Sequence, residues 1–253
     1  MESLVKDKKG AVISSDNSPD VQNDRWLEMF SIFIHDIESP LASMKYLLKL
    51  IGDGKLDLRK PLHQRMVSSS HVALERVQSI IYDIMAVAKA GRVGLPVVVD
   101  DVDPDVILRE AILLAGASAE EQNIEITYSP EKEQYDIVRA DPDLLKRVID
   151  NLLFNAIRHT PSGGTVMVYT KTEGNSVYIY IKDSGSGLNG IDPELLFEKY
   201  GQLHLRSQGL HRGVGLGLYF CKLAATGMGG TIMADDHPEG GAVFSLRLQK
   251  SKG

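Results

Sequence analysis

The stretch Asn151-Leu152-Leu153-Phe154-Asn155-Ala156-Ile157-Arg158-His159-Thr160 sets two asparagines four residues apart in an apolar helical frame. Residues at that spacing share one helix face, with Arg158 and His159 about a turn further on. Asparagine is a poor helix-interior residue because its amide competes for backbone hydrogen bonds. Two stacked amides therefore need a reason: carbonyl oxygens offered to a hard cation such as Mg²⁺ are one, and ordinary buried hydrogen bonding is another. Asp141 caps the start of this helix, Pro142 fits its first position, and the helix is expected to run to about His159.

Outward from this helix the pattern is mixed. Thr165 to Thr170 and Val177 to Lys182 alternate apolar and polar residues, as half-buried antiparallel strands do. Asp183-Ser184-Gly185-Ser186-Gly187-Leu188 follows the second strand. Its glycines let backbone approach a ligand, and its carboxylate can accept from an amino group. Leu196-Phe197-Glu198-Lys199-Tyr200 comes next, then Gly213-Val214-Gly215-Leu216-Gly217-Leu218 leading into a helix near Gly215. Bare amides at a helix N-terminus suit phosphates, although this spacing is neither a Walker loop nor a dinucleotide fingerprint. Strands are expected near Thr231 to Ala234 and Ala242 to Leu248. Upstream, Val97 to Val99 reads as a short strand, Pro104 to Gln122 as a helix capped by Asp103, and Ile124 to Tyr128 and Asp136 to Arg139 as strands. This order predicts an α/β sandwich, a sheet with helices on one face.

The N-terminal part has a different period. Leu27, Phe30, Ile34, Ile37, Leu41, Met44, Leu48 and Ile51 step by three and four, a heptad seam on a helix from roughly Asp24 to Ile51. Gly52-Asp53-Gly54-Lys55 breaks it, and a second seam follows from about Arg59 to Ala90: Val67, Ser70, Leu74, Val77, Ile81, Ile84, Ala88. A two-helix hairpin has too little core of its own, so the seams predict dimerisation into a four-helix bundle. Within Ser31-Ile32-Phe33-Ile34-His35-Asp36-Ile37-Glu38-Ser39-Pro40-Leu41, His35 lies beside the seam, where another molecule can reach it. Ser39 is one turn along on the same face, and Asp36 points about 100° away. Pro40 frees a carbonyl near Asp36 and favours a kink beside the histidine.

Composition bounds the remaining choices. The 253 residues suffice for one large domain or two modest ones, and a formal charge of −6 gives no footprint for nucleic acid or a membrane surface. No apolar window reaches the length of a membrane span, and the single Cys221 excludes an internal disulfide framework, so a cytoplasmic protein is expected.

Taken in order, these clusters resemble the sensor histidine kinases of two-component signalling over about residues 25 to 250. His35 to Leu41 looks like the H box and Asn151 to Thr160 like the N box. Asp183 to Gly187 looks like the first glycine box, Phe197-Glu198 like the F box, and Gly213 to Gly217 like the second glycine box. The resemblance implies an α+β chain in four parts: a flexible leader (1–22), a dimerisation and histidine-phosphotransfer hairpin (23–92), a linker (93–100) and a Bergerat-type ATP-binding domain (101–250). It implies ATP and Mg²⁺ as cofactors. Asn155, assisted by Asn151, would hold the metal and Asp183 would accept from the adenine amino group. Arg158 and His159 would face the phosphates. Gly185, Gly187, Phe197, Gly213, Gly215, Gly217 and Leu218 would complete the nucleotide site, with a lid from about Lys199 to Arg212. His35 would take the γ-phosphoryl group, Asp36 would orient its ring or take its proton, and Ser39 could orient water.

Implied partners are a second copy, a response regulator receiver domain and a separate sensor or input protein. Glu38 departs from the usual basic residue and Ser39 from the usual Thr or Asn. The first alters the field at the phosphoacceptor, and the second bears on dephosphorylation of the regulator. Two other readings compete: an ATPase of the gyrase, chaperone and mismatch-repair kind, and a degenerate kinase acting as a phosphotransfer scaffold. The His35-Asp36 box on a heptad hairpin opposes the first, and the intact Asn155, Asp183 and glycines oppose the second.

Overall fold

The computed structural model of the protein describes residues 5–6, 12–13, 34, 37–38, 40–93, 95–130, 136–198 and 216–251. Val5–Lys6 (β1) and Val12–Ile13 (β2) pair as a two-residue antiparallel ladder. Residues 40–52 (α1) and Pro61–Val93 (α2) are helical, joined by a turn where Gly54 takes φ +65°. In that turn the Asp57 N–H donates to His63 Nδ1 at 2.9 Å. Alternate seam positions of α2 differ sharply. Ser70 and Val77 are 8% and 7% exposed, whereas Val67, Leu74 and Ile81 are 40%, 43% and 44% exposed.

The second half forms the expected sandwich. Its sheet runs in the order β4 (Glu125–Ser129), β6 (Thr165–Glu173), β7 (Ser176–Asp183), β9 (Ala242–Gln249), β8 (Thr231–Asp236). Only the β4–β6 pairing is parallel. A small ladder joins β3 (Asp100–Val102) to β5 (Val138–Ala140). Helices α3 (Pro104–Glu121), α4 (Pro142–His159) and α6 (Leu216–Gly227) cover one sheet face, and α5 (Pro193–Leu196) is a single turn. The alternation read from sequence has this cause: Val177, Ile179, Ile181 and Asp183 point into the core, and Tyr178 and Tyr180 stack on the other face, Tyr180 also against Tyr169 at 4.7 Å between centroids. α2 packs against α6, joining the helical part to the sandwich.

One expected element is absent. Residues 97–99 are not a strand, and the chain enters the β3 ladder only at Asp100. The Val98 N–H is taken by a side chain, Oδ2 of Asp141 at 2.8 Å, so no strand pairs there.

Candidate functional site

α4 presents the site because its apolar residues fill the core. Leu144, Leu145, Val148, Ile149, Leu152, Leu153, Ala156 and Ile157 are all buried, which leaves Asn151, Asn155, Arg158 and His159 at its margin. Asp141 starts the helix by accepting from the Leu144 N–H at 3.0 Å, with Pro142 at the first helical position. The Asn151 amide donates to the Arg147 carbonyl at 3.0 Å, so its nitrogen is used within the helix and its carbonyl oxygen is left for another role. Asn155 is half-buried, and among the described residues its amide makes no hydrogen bond. Both carbonyls are chemically suited to a hard cation.

Asp183 closes the other side. It is 2% exposed at the end of β7, and its Oδ1 accepts from Gly185 N–H at 2.8 Å and Ala242 N–H at 3.3 Å. Among the described residues no hydrogen bond reaches Oδ2, which leaves this carboxylate a second acceptor oxygen. Burial pushes this carboxyl above its ordinary value, against the lowering effect of the two amides and His159. Burial also pushes the His159 imidazole down, Arg158 adds to that, and Asp183 opposes it.

The glycines here are required by space. A Cβ on Gly185 would run into the His159 carbonyl oxygen and lie 2.8 Å from Asp183 Oδ1. Gly187, at φ +72°, would meet Asp236 Oδ1, the atom that accepts from the Leu188 N–H at 2.5 Å. Backbone thus packs here more closely than any side chain would allow, which holds the Gly185 and Gly187 turn against α4 and β8 beside Asp183. Phe197 sits under this region, buried, with its ring edge-on to Phe244 at 6.4 Å. Leu218 is buried in the first turn of α6 beside the half-buried Gly217.

The structure therefore brings Asp183, Gly185 and His159 together, with Asn155 one turn before His159 on the same helix. His35, Asp36, Ser39, Gly213, Gly215 and the segment from Lys199 to Arg212 lie outside the described residues. Sequence reasoning missed Asp236, Gly241 and Ala242. Gly241, at φ +83°, is where a Cβ would collide with the Asp183 carbonyl. The Gly240-Gly241 pair ahead of an alternating strand was the available signal.

Comparison with known proteins agrees with this geometry. Residues 140–252 match the family described as histidine kinase-, DNA gyrase B-, and HSP90-like ATPase. The chain is 28% identical over 219 residues to the sensor protein EvgS of Escherichia coli O157:H7, covering 85% of this chain and 18% of that one. It is 28% identical over 233 residues to the adaptive-response sensory kinase SasA of Synechocystis, covering 87% of this chain and 58% of SasA. The chain thus spans less than two thirds of the length of these relatives. The fold is shared with full-length ShkA, solved in complex with AMPPNP, at a TM-score of 0.60 and 20% identity over 91% of this chain and 47% of ShkA. The family match places a histidine kinase-, DNA gyrase B-, and HSP90-like ATPase domain in residues 140–252, and over most of its length the chain is similar to sensor histidine kinases.

Proposed function

We propose that the chain is an ATP- and Mg²⁺-dependent histidine autokinase that passes its phosphoryl group from His35 to an aspartate on a separate response regulator. The observation that carries this reading is Asp183, a buried carboxylate with one oxygen spent on two backbone amides and the other without a hydrogen bond among the described residues, beside a turn that only glycine backbone can form. Bound ATP supplies the phosphoryl group, and Mg²⁺ neutralises its charge. Asp183 holds the adenine amino group, Asn155 and Asn151 offer carbonyls to the metal, and Arg158 and the neutral His159 face the phosphates. Gly213, Gly215 and Gly217 would offer backbone amides to the phosphates, while Phe197 and Leu218 support the site by packing. Neutral His35 attacks phosphorus as the bond to the leaving oxygen breaks. Asp36 orients the ring or takes its proton, and Ser39 carries a hydroxyl that could orient water for hydrolysis of the regulator's phosphoaspartate.

The half-open seam supports a homodimer: Val67, Leu74 and Ile81 recur every seven residues and remain exposed in the single chain. No helix among the described residues is long and apolar enough to cross a membrane, and a cytoplasmic setting supplies ATP and Mg²⁺. An input protein would act on the helical part.

The test is incubation with γ-labelled ATP and Mg²⁺, comparing wild type with His35→Gln and Asn155→Ala. The expected result is an acid-labile, base-stable label that both variants lose. ATP hydrolysis indifferent to His35→Gln would instead favour the ATPase reading, and an unlabelled wild type that still binds ATP would favour the scaffold.

A further inference from the structure

Three helices begin with the same device, an aspartate cap followed by proline: Asp103-Pro104, Asp141-Pro142 and Asp192-Pro193. Asp103 accepts from the Asp105 N–H at 2.9 Å and Asp192 from the Glu194 N–H at 3.0 Å, both within their own helices. Asp141 does more. Its Oδ1 caps Leu144, and its Oδ2 accepts from the N–H of Val98, 43 positions away in the segment between α2 and β3.

That segment is fixed at further points. Leu95 and Val97 pack against the sandwich core, and Val97 Cγ2 lies 2.7 Å from where a Cβ on Gly227 would sit, at the last residue of α6. Val98 is 76% exposed, so its side chain does nothing to hold it and its backbone N–H does. Residues 95–99 therefore run between the N-terminus of α4, the helix of Asn151 and Asn155, and the C-terminus of α6, the helix of Gly217 and Leu218. α2 packs along that same α6. A shift of α2 thus bears directly on α6, and residues 95–99 are held to both helices of the nucleotide site.

We propose that Asp141 is a positioning residue: it latches residues 95–99 to α4 and so sets where the ATP-binding domain stands relative to the hairpin that carries His35. This rests on the autokinase reading. Phosphoryl transfer between two parts of one assembly depends on the effective concentration of one at the other, which falls as a tether loosens. Loss of the latch therefore slows His35 phosphorylation without touching nucleotide affinity.

Asp141→Asn separates the two roles. Asparagine remains a good cap for Leu144, but its side chain has one acceptor oxygen for two N–H donors. Asp103→Asn is the control, the same charge loss at a cap with no second donor. Hydrogen exchange, ATP affinity and the rate of His35 labelling are measured on the full chain with γ-labelled ATP and Mg²⁺. In Asp141→Asn the Val98 amide is expected to exchange about two- to tenfold faster, as losing one hydrogen bond allows. His35 labelling should slow by a similar factor, ATP affinity should stay within about twofold, and Asp103→Asn should match wild type on all three. Val98→Pro removes the donor, and combined with Asp141→Asn it should add nothing further to the labelling defect. Unchanged Val98 exchange would overturn the latch. So would a loss of ATP affinity as large as the loss of labelling, which would make Asp141 a cap alone. A wild type without label at His35 would remove the autokinase reading, and Val98 exchange would still decide whether the latch exists.

Discussion

α4 and α2 are both amphipathic helices with three-and-four spacing, yet they end differently. The aliphatic positions of α4 from Leu144 to Ile157 are all buried inside the chain, with the sheet, α3 and α6 packed against the helix. In α2 one heptad series is buried and the other faces outward. The period of a sequence states that a helix has an apolar face, and says nothing of which molecule covers it. A face closed by the same chain contributes to folding, whereas a face left open contributes to association, and mutation separates the two.

The largest effect is expected in the closed helix. Leu152 is fully buried in the middle of α4, and Leu152→Ala should cost the ATP-binding domain about 4 kcal/mol through lost transfer energy and a residual cavity. Denaturant unfolding followed by tyrosine signals of the sheet would read this as a lowered midpoint that does not depend on protein concentration. A loss below about 1 kcal/mol would break the contrast, because the site would then be collapsing to fill the space as a surface does.

A smaller effect, with a different signature, is expected in the open seam. In the proposed homodimer, Leu74→Glu would place a carboxylate in the seam between the two copies, once from each. It should weaken the dimer by about a hundredfold, equivalent to about 3 kcal/mol. Sedimentation across a concentration series checks this, and ATP affinity of the variant should equal that of wild type. A dimer of unchanged strength would place the subunit contact elsewhere than on Val67, Leu74 and Ile81.

The same distinction explains what could be read from residues alone. Local signals held. The Asp103-Pro104 and Asp141-Pro142 starts, the alternation of β7 and β9, and the run from Pro142 to His159 all depend on residues within a turn or two of each other. Asp183, Gly185 and His159 could be nominated from type and spacing, and the structure places them in contact range. Long-range facts were illegible. Val97-Val98-Val99 has the local composition of a strand, and only the Asp141 carboxylate, brought there by folding, makes it a tether instead. Asp236 holds Leu188 across 48 positions, and Ala242 holds Asp183 across 59. No period encodes such pairs, because each depends on how the sheet is threaded.

The smallest expected effect sharpens the contrast at the site itself, where the buried end of α4 meets β7. Burial holds His159 below its ordinary value, so from about pH 6.5 down to its folded value the unfolded chain binds the extra proton. Stability from this group is therefore complete above about pH 6.5 and is lost as pH falls through that window, at no more than about 1.4 kcal/mol per pH unit. Asp183 has the opposite sign. Its raised folded value means the native chain keeps its proton longer, so its contribution is complete below the ordinary aspartate value and is lost as pH rises through the folded one. Urea unfolding at stepped pH between about 7 and 5 should show a His159-dependent decline, which His159→Asn flattens. Asp183→Asn gives the finer test. Because the Asp183 carboxylate partly holds up His159, removing it lowers His159 further and should carry the decline to lower pH. A decline that ignores both substitutions would mean that the two groups do not share one buried environment, and the convergence of α4 with β7 at this site would lose its electrostatic support.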